Sequence, residues 1–143
     1  MISLVVDTNI LFSALIKNGI SREILIDCPF SLYALENMLS EMEKHKDLIL
    51  QKSGLSNEEF DILFKIIAEK INVIKQEKYF SHIEEANSLI GHIDKDDIPF
   101  IALALSFKNE GIWSDDNHLT KQNKIRIFKT EEMAELYQGL GKK

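Results

Sequence analysis

Short apolar runs alternate with stretches of helical periodicity, and this pattern constrains the fold more than any other feature. Residues 2–6 (ISLVV) are nearly continuous apolar, as suits a strand buried on both faces of a parallel sheet. Residues 9–17 and 21–27 predict two helices, and residues 30–33 a second strand. Leu35, Met38, Leu39 and Met42 follow the i, i+3, i+4, i+7 spacing of an amphipathic helix. Ser56 with Glu59 marks a helix start, carrying the stripe Phe60, Leu63, Phe64 and Ile67, which is assigned to the core rather than to a dimer face. Residues 71–74 predict the third strand; Ser81 with Glu84 repeats the start signal, and Gly91 is a stop. Residues 98–107 are long and rich in alanine, which favours a buried helix over a strand. Pro99 is tolerated only in a first turn, so that helix should begin near Asp97 and end by Asn109 and Gly111. Residues 112–114 and 125–128 predict two further strands, and Thr130 is expected to cap a last helix through about Gln138. Alternating strands and helices imply a parallel sheet with helices on both faces. In such folds ligands sit beyond the carboxyl ends of the strands.

The totals narrow the setting. A length of 143 residues fits one domain over residues 1–143, and 45% hydrophobic content is enough for a sizeable core. Cys28 is the sole cysteine, so an internal disulfide is excluded, which fits a reducing compartment. MISLVVDTN has neither a basic leader nor a small-residue cleavage site, and no apolar run approaches the ~18 residues of a membrane span. The expected location is therefore the cytoplasm, with no membrane association. Net charge is −6, and the arginines are Arg22 and Arg126 alone. A protein that holds nucleic acid by charge alone is usually basic. If the ligand is a polyanion, positive charge must come from elsewhere.

The acids fall where the strand-end rule looks. The first strand runs into Asp7, followed by Thr8 and Asn9; the fourth ends at Ser114, followed by Asp115 and Asp116. Asp97 opens the buried helix that feeds the fourth strand, and Glu41 flanks the Leu35–Met42 stripe. Two carboxylates ~4 Å apart repel by about 1 kcal/mol in water and about 4 at an effective dielectric near 20. Gathered groups of this kind take up protons or separate unless a cation offsets the repulsion. Oxygen donors suit Mg²⁺ or Mn²⁺ more than zinc, and such an ion would supply the missing positive charge. Each acid also has a purely structural explanation. Asp7 would cap the next helix. Asp97 would start a helix beside a favourable dipole, Glu41 would be a solvated helix residue, and Asp115 with Asp116 would form a polar turn. The functional case rests on joint placement.

Other chemistries find less support. His45, His82, His92 and His118 lack the spacing of a zinc helix, and His92 with Asp94 is a weak pair. No nucleophile elbow, P-loop or dinucleotide fingerprint is present. A phospho-acceptor domain would need an Asp after the third strand, where Lys75 and Gln76 stand. A haloacid-dehalogenase-type phosphatase would need a second Asp where Asn9 stands. Trp113 reads as core, and Lys121, Lys124, Arg126 and Lys129 read as a solvated face rather than a nucleic-acid contact.

VVDTNILFSAL resembles the opening motif of PIN domains, a hydrophobic strand ending in Asp-Thr-Asn. SEMEKH resembles the family's helical segment with its second acid, matching Glu41, although Glu36 and Glu43 are near alternatives. DKDDIPFIALAL resembles the family's Asp before an Ala-rich helix, matching Asp97. IWSDDNHL is similar to the closing motif, matching Asp116. The resemblance runs from about Ile2 to Phe128. It implies a three-layer α/β/α sandwich and metal-dependent cleavage of phosphodiesters, commonly in RNA, leaving 5′-phosphate and 3′-hydroxyl ends. Asp7, Asp97 and Asp116 are then the primary acids for Mg²⁺ or Mn²⁺, with Glu41 the fourth and the candidate to orient the attacking water. Thr8, Asn9, Ser114, Asp115 and Asp94 are supporting candidates. Asp94 and Asp96 crowd the third motif and Asp115 the fourth, which leaves the ligand set open. Many compact members are VapC-like toxins, often dimeric, so an antitoxin protein and a homodimer are open expectations beside the RNA substrate. A PIN-like module that binds RNA or protein without turnover is the alternative.

Overall fold

A computed structural model describes residues 1–140. Five parallel strands form one sheet in the order β3-β2-β1-β4-β5: β1 Ser3–Val6, β2 Ser31–Leu35, β3 Ile71–Ile74, β4 Gly111–Trp113 and β5 Ile127–Phe128. Helices cover both faces, giving the expected three-layer α/β/α sandwich. The alternation of the strands explains the layers. Leu4 and Val6 of β1 join Leu32, Ala34 and Trp113 in one core, whereas Val5 joins Leu35 and Ile112 in the other.

Helices α1 (Thr8–Ile16) and α2 (Ile20–Asp27) link β1 to β2, and α3 (Met38–Lys44), α4 (Lys46–Ser53) and α5 (Asn57–Glu69) link β2 to β3. Their apolar residues, among them Ile10, Ile24, Met42, Ile49 and Phe60, fill the first core. The return from β3 to β4 crosses the opposite face through α6 (Ile83–Ala86), a π-turn at Asn87–Gly91, and α7 (Ile98–Leu105). Helix α8 (Thr130–Gly139) comes back to the first face with Met133 and Tyr137. The chain thus winds from β1 toward β2 and β3, then jumps back to β4. That reversal puts the topological switch point at the carboxyl ends of β1 and β4.

Local signals mostly hold, with informative exceptions. The Ser56 box forms as expected, Glu59 N–H to Ser56 Oγ at 3.1 Å and Ser56 N–H to Glu59 Oε1 at 2.8 Å. Phe60, Leu63 and Ile67 are buried in the core. The second start signal is not used: α6 follows His82 without a side-chain cap, because residues Phe80–His82 are already wound into a 3-10 turn. Leu35 ends β2 instead of opening a helix. Helix α4 was not expected, since Ile49 is its sole buried apolar residue and no stripe announces it. Helix α7 stops at Leu105, where the Asn109 side-chain amide donates to the carbonyls of Ala104 (2.9 Å) and Phe107 (2.8 Å). Thr130 is the first residue of α8 rather than its cap, and Asp115 accepts its N–H at 2.8 Å. No helix among the described residues is long and apolar enough to cross a membrane.

Gly111 is a point of close approach between β4 and the Arg126 backbone. Its φ of +146° lies where side chains are disfavoured, and a Cβ there would stand 2.2 Å from the Arg126 carbonyl oxygen. Gly111→Ala should therefore push β4 off β5 and cost about 2 kcal/mol or more in urea denaturation. An unchanged midpoint would contradict this account of the β4–β5 contact.

Candidate active site

Register brings the first and last acidic motifs together. Val5 lies opposite Ile112 and Val6 opposite Trp113, and the Asp7 N–H continues the ladder to the Trp113 carbonyl at 3.0 Å. Asp7 and Ser114 therefore leave neighbouring strands side by side. The Ser114 hydroxyl, fully buried, donates to Asp7 Oδ2 at 2.6 Å and accepts the Asp116 N–H at 3.0 Å. One hydroxyl thus ties the first acid to the turn that carries the last. Asp7 Oδ1 accepts the Asn9 N–H at 3.2 Å and caps α1, so the capping explanation and the site coincide. Burial pushes the Asp7 carboxyl above its ordinary range, against the hydrogen bonds from Ser114 and Asn9.

Asp97 arrives from the other core. It precedes α7 with Pro99 in the first turn, as expected, and is only 5% exposed. It makes no side-chain cap, and its Oδ2 is buried without a hydrogen-bond partner among the described residues. Burial, then the carboxylates of Asp116, Asp94 and Asp7, pushes its pKa up to about 7. Asp94 Oδ1 caps the following turn through the Asp96 N–H at 2.9 Å, and its Oδ2 meets His118 Nδ1 at 3.0 Å. Those two contacts hold the Asp94 carboxyl below its usual range. The partner of Asp94 is thus His118, not His92. Asp116 Oδ1 accepts the His118 N–H at 2.8 Å.

These groups surround a cleft of about 590 Å³. Asp7, Asp97, Asp116, Asp94, Thr8 and Asn9 line it, as does Glu41 from α3. Glu41 is half-exposed, with Oε2 3.5 Å from His45 Nε2. Helices α1 and α7 both aim their N-termini at the cleft, and those partial positive charges favour anions there. Asp115 does not join the cluster. It accepts the Thr130 N–H at 2.8 Å and the Thr130 hydroxyl at 2.6 Å, while Trp113 Nε1 donates to that hydroxyl at 3.0 Å. The Lys-rich segment is largely occupied: Lys124 with Glu85 (3.9 Å), Arg126 with Glu132 (3.6 Å), and Lys129 with Asn117.

A model of the PIN domain matches residues 5–137 of the sequence. This chain belongs to the PIN-domain family. No curated protein matches it at a significant level. PIN domains are generally nucleases that act on nucleic acids with divalent metals. The PIN-domain site here fits such an ion on its own geometry. Ligand atoms of Asp94, Asp97, Asp116 and His118 all lie within 4.8 Å of one another, and Asp97 Oδ2 is a buried acceptor with no partner among the described residues. The sequence did not single out His118, although its place two residues after Asp116 was a usable signal, because that spacing lets one Asx turn face both side chains the same way.

The raised Asp97 pKa has a stability consequence. The unfolded carboxyl loses its proton near 3.8, the folded one near 7, so the folded state binds more protons between these values and the ion-free protein weakens as pH rises through them. Asp97→Asn removes this titration. In thermal melts without divalent ions, the variant's advantage over the wild type should grow from pH 4 to pH 7. Adding Mn²⁺ should raise the wild-type Tm and leave the variant nearly unmoved. A pH-independent difference would contradict the burial of an ionisable Asp97.

Proposed function

We propose that this protein is a metal-dependent endoribonuclease hydrolysing RNA phosphodiester bonds, with Asp7, Asp97 and Asp116 holding Mg²⁺ or Mn²⁺ directly or through water. The observation that carries this reading is Asp97, whose Oδ2 is buried without a partner among the described residues and whose carboxyl groups with those of Asp116 and Asp94 at the switch point of the sheet. A cluster kept at such electrostatic cost is hard to explain by folding alone. When bound, a divalent ion offsets that cost, neutralises phosphate charge and increases the acidity of water.

The chain's own residues set up the rest. Ser114 fixes Asp7 and the Asp116 turn relative to each other, so both carboxylates are oriented before substrate arrives. The N-termini of α1 and α7 favour a phosphate at the cleft, with Thr8 and Asn9 at its edge. Glu41, half-exposed on the cleft wall, is the group to orient water and take its proton. Water oxygen bonds to phosphorus, the bond to the 3′ oxygen breaks, and a proton returns to that oxygen, leaving 5′-phosphate and 3′-hydroxyl ends. The preference for RNA, and a role as a VapC-like toxin with an antitoxin partner and a homodimeric state, rest on the sequence resemblance.

Cleavage of a panel of single-stranded RNAs tests the reading. Activity should require Mg²⁺ or Mn²⁺ and vanish with EDTA. Asp7→Asn, Asp97→Asn and Asp116→Asn should each lose at least about 100-fold while remaining folded. EDTA-resistant cleavage that survives Asp7→Asn would sink the mechanism. Ion or RNA binding without turnover over a broad panel would favour a non-catalytic PIN-like binding module.

A further inference from the structure

The cluster that faces Asp97 contains one nitrogen donor, and this points beyond an all-oxygen site. His118 shares the 4.8 Å grouping with Asp94, Asp97 and Asp116, whereas Asp7 and Glu41 fall outside it. Both Asp7 oxygens accept hydrogen bonds, from Ser114 and from the Asn9 N–H, which leaves Asp7 to hold the ion through water. The imidazole is held in place rather than loose: Nδ1 is 3.0 Å from Asp94 Oδ2 and 3.7 Å from Asp116 Oδ1, and the His118 N–H is bonded to Asp116. These contacts set the ring beside the carboxylates of Asp94 and Asp116, with which it would share an ion. The independent sign that an ion is expected here is Asp97 Oδ2, buried and without a partner among the described residues.

We propose that His118 supplies a nitrogen ligand to the divalent-cation site, with Asp94, Asp97 and Asp116 as its carboxylate companions, and that this mixed donor set selects Mn²⁺-like transition-metal ions over Mg²⁺. The proposal rests on the reading of this cleft as a cation-dependent centre. Its physical basis is ligand softness. Mg²⁺ takes oxygen donors and sheds its water reluctantly, whereas imidazole suits first-row transition ions. The same side chain is 52% exposed, so its substitution disturbs little packing.

The test is pulsed electron paramagnetic resonance of Mn²⁺ bound to the full chain, together with calorimetric titration of Mn²⁺ and of Mg²⁺. The wild type should show nitrogen hyperfine coupling to Mn²⁺. The coupling should disappear in His118→Gln, which keeps a hydrogen-bonding group for Asp94, and persist in His45→Gln, the other histidine paired with a cleft acid. His118→Gln should weaken Mn²⁺ by roughly tenfold or more, with Mg²⁺ much less affected. Bound Mn²⁺ without nitrogen coupling, coupling that survives His118→Gln, or equal loss of both ions would overturn the proposal while leaving the nuclease reading intact. A wild type that binds no divalent ion at all would overturn both.

Discussion

The pairing of β1 with β4 is the constraint on which the site depends. Residues about a hundred positions apart become neighbours because Val5 and Val6 lie opposite Ile112 and Trp113. Only in that register does Asp7 emerge beside Ser114, whose hydroxyl then links it to the turn bearing Asp116. A slip of one residue would turn every side chain of β1 to the other core and take Asp7 with it. Packing therefore enforces the placing of Asp7 at the cleft: Leu4 and Val6 need one face, Val5 the other.

Against that packing stands a concentration of like charge. Asp97 keeps one oxygen buried and without a hydrogen-bond partner among the described residues, and burial pushes the Asp7 carboxyl above its ordinary range. Hydrogen bonds relieve part of this at Asp7 and Asp94, and helix N-termini relieve more. At Asp97 the relief from His118 is outweighed by burial and by the neighbouring carboxylates. A divalent ion is the natural complement, and it reconciles an acidic protein of net charge −6 with a polyanionic substrate.

Much of this was legible in the chain itself, for physical reasons that can be named. Buried strands and the Pro99-started helix have strong local signatures, and Asp7, Asp97 and Asp116 sit at strand or helix ends that the parallel topology must gather. The weaker inferences failed where tertiary contacts decide. Thr130 looked like a cap because nothing local reveals that Asp115 reaches across to take that role. The Ser81 signal was overridden by the 3-10 turn before it, and α4 lacked a stripe to announce it. Asp94 was paired with its sequence neighbour His92, but its actual partner, His118, lies on the other side of β4.

The central claim is that Asp97 and its neighbours share a divalent ion in this cleft. Anomalous diffraction from crystals soaked in Mn²⁺ tests it most directly. The account predicts a single strong peak about 2.0–2.5 Å from Asp97 Oδ2 and bordered by Asp116. A peak elsewhere on the surface, with Asp97 Oδ2 still uncoordinated at saturating Mn²⁺, would contradict it.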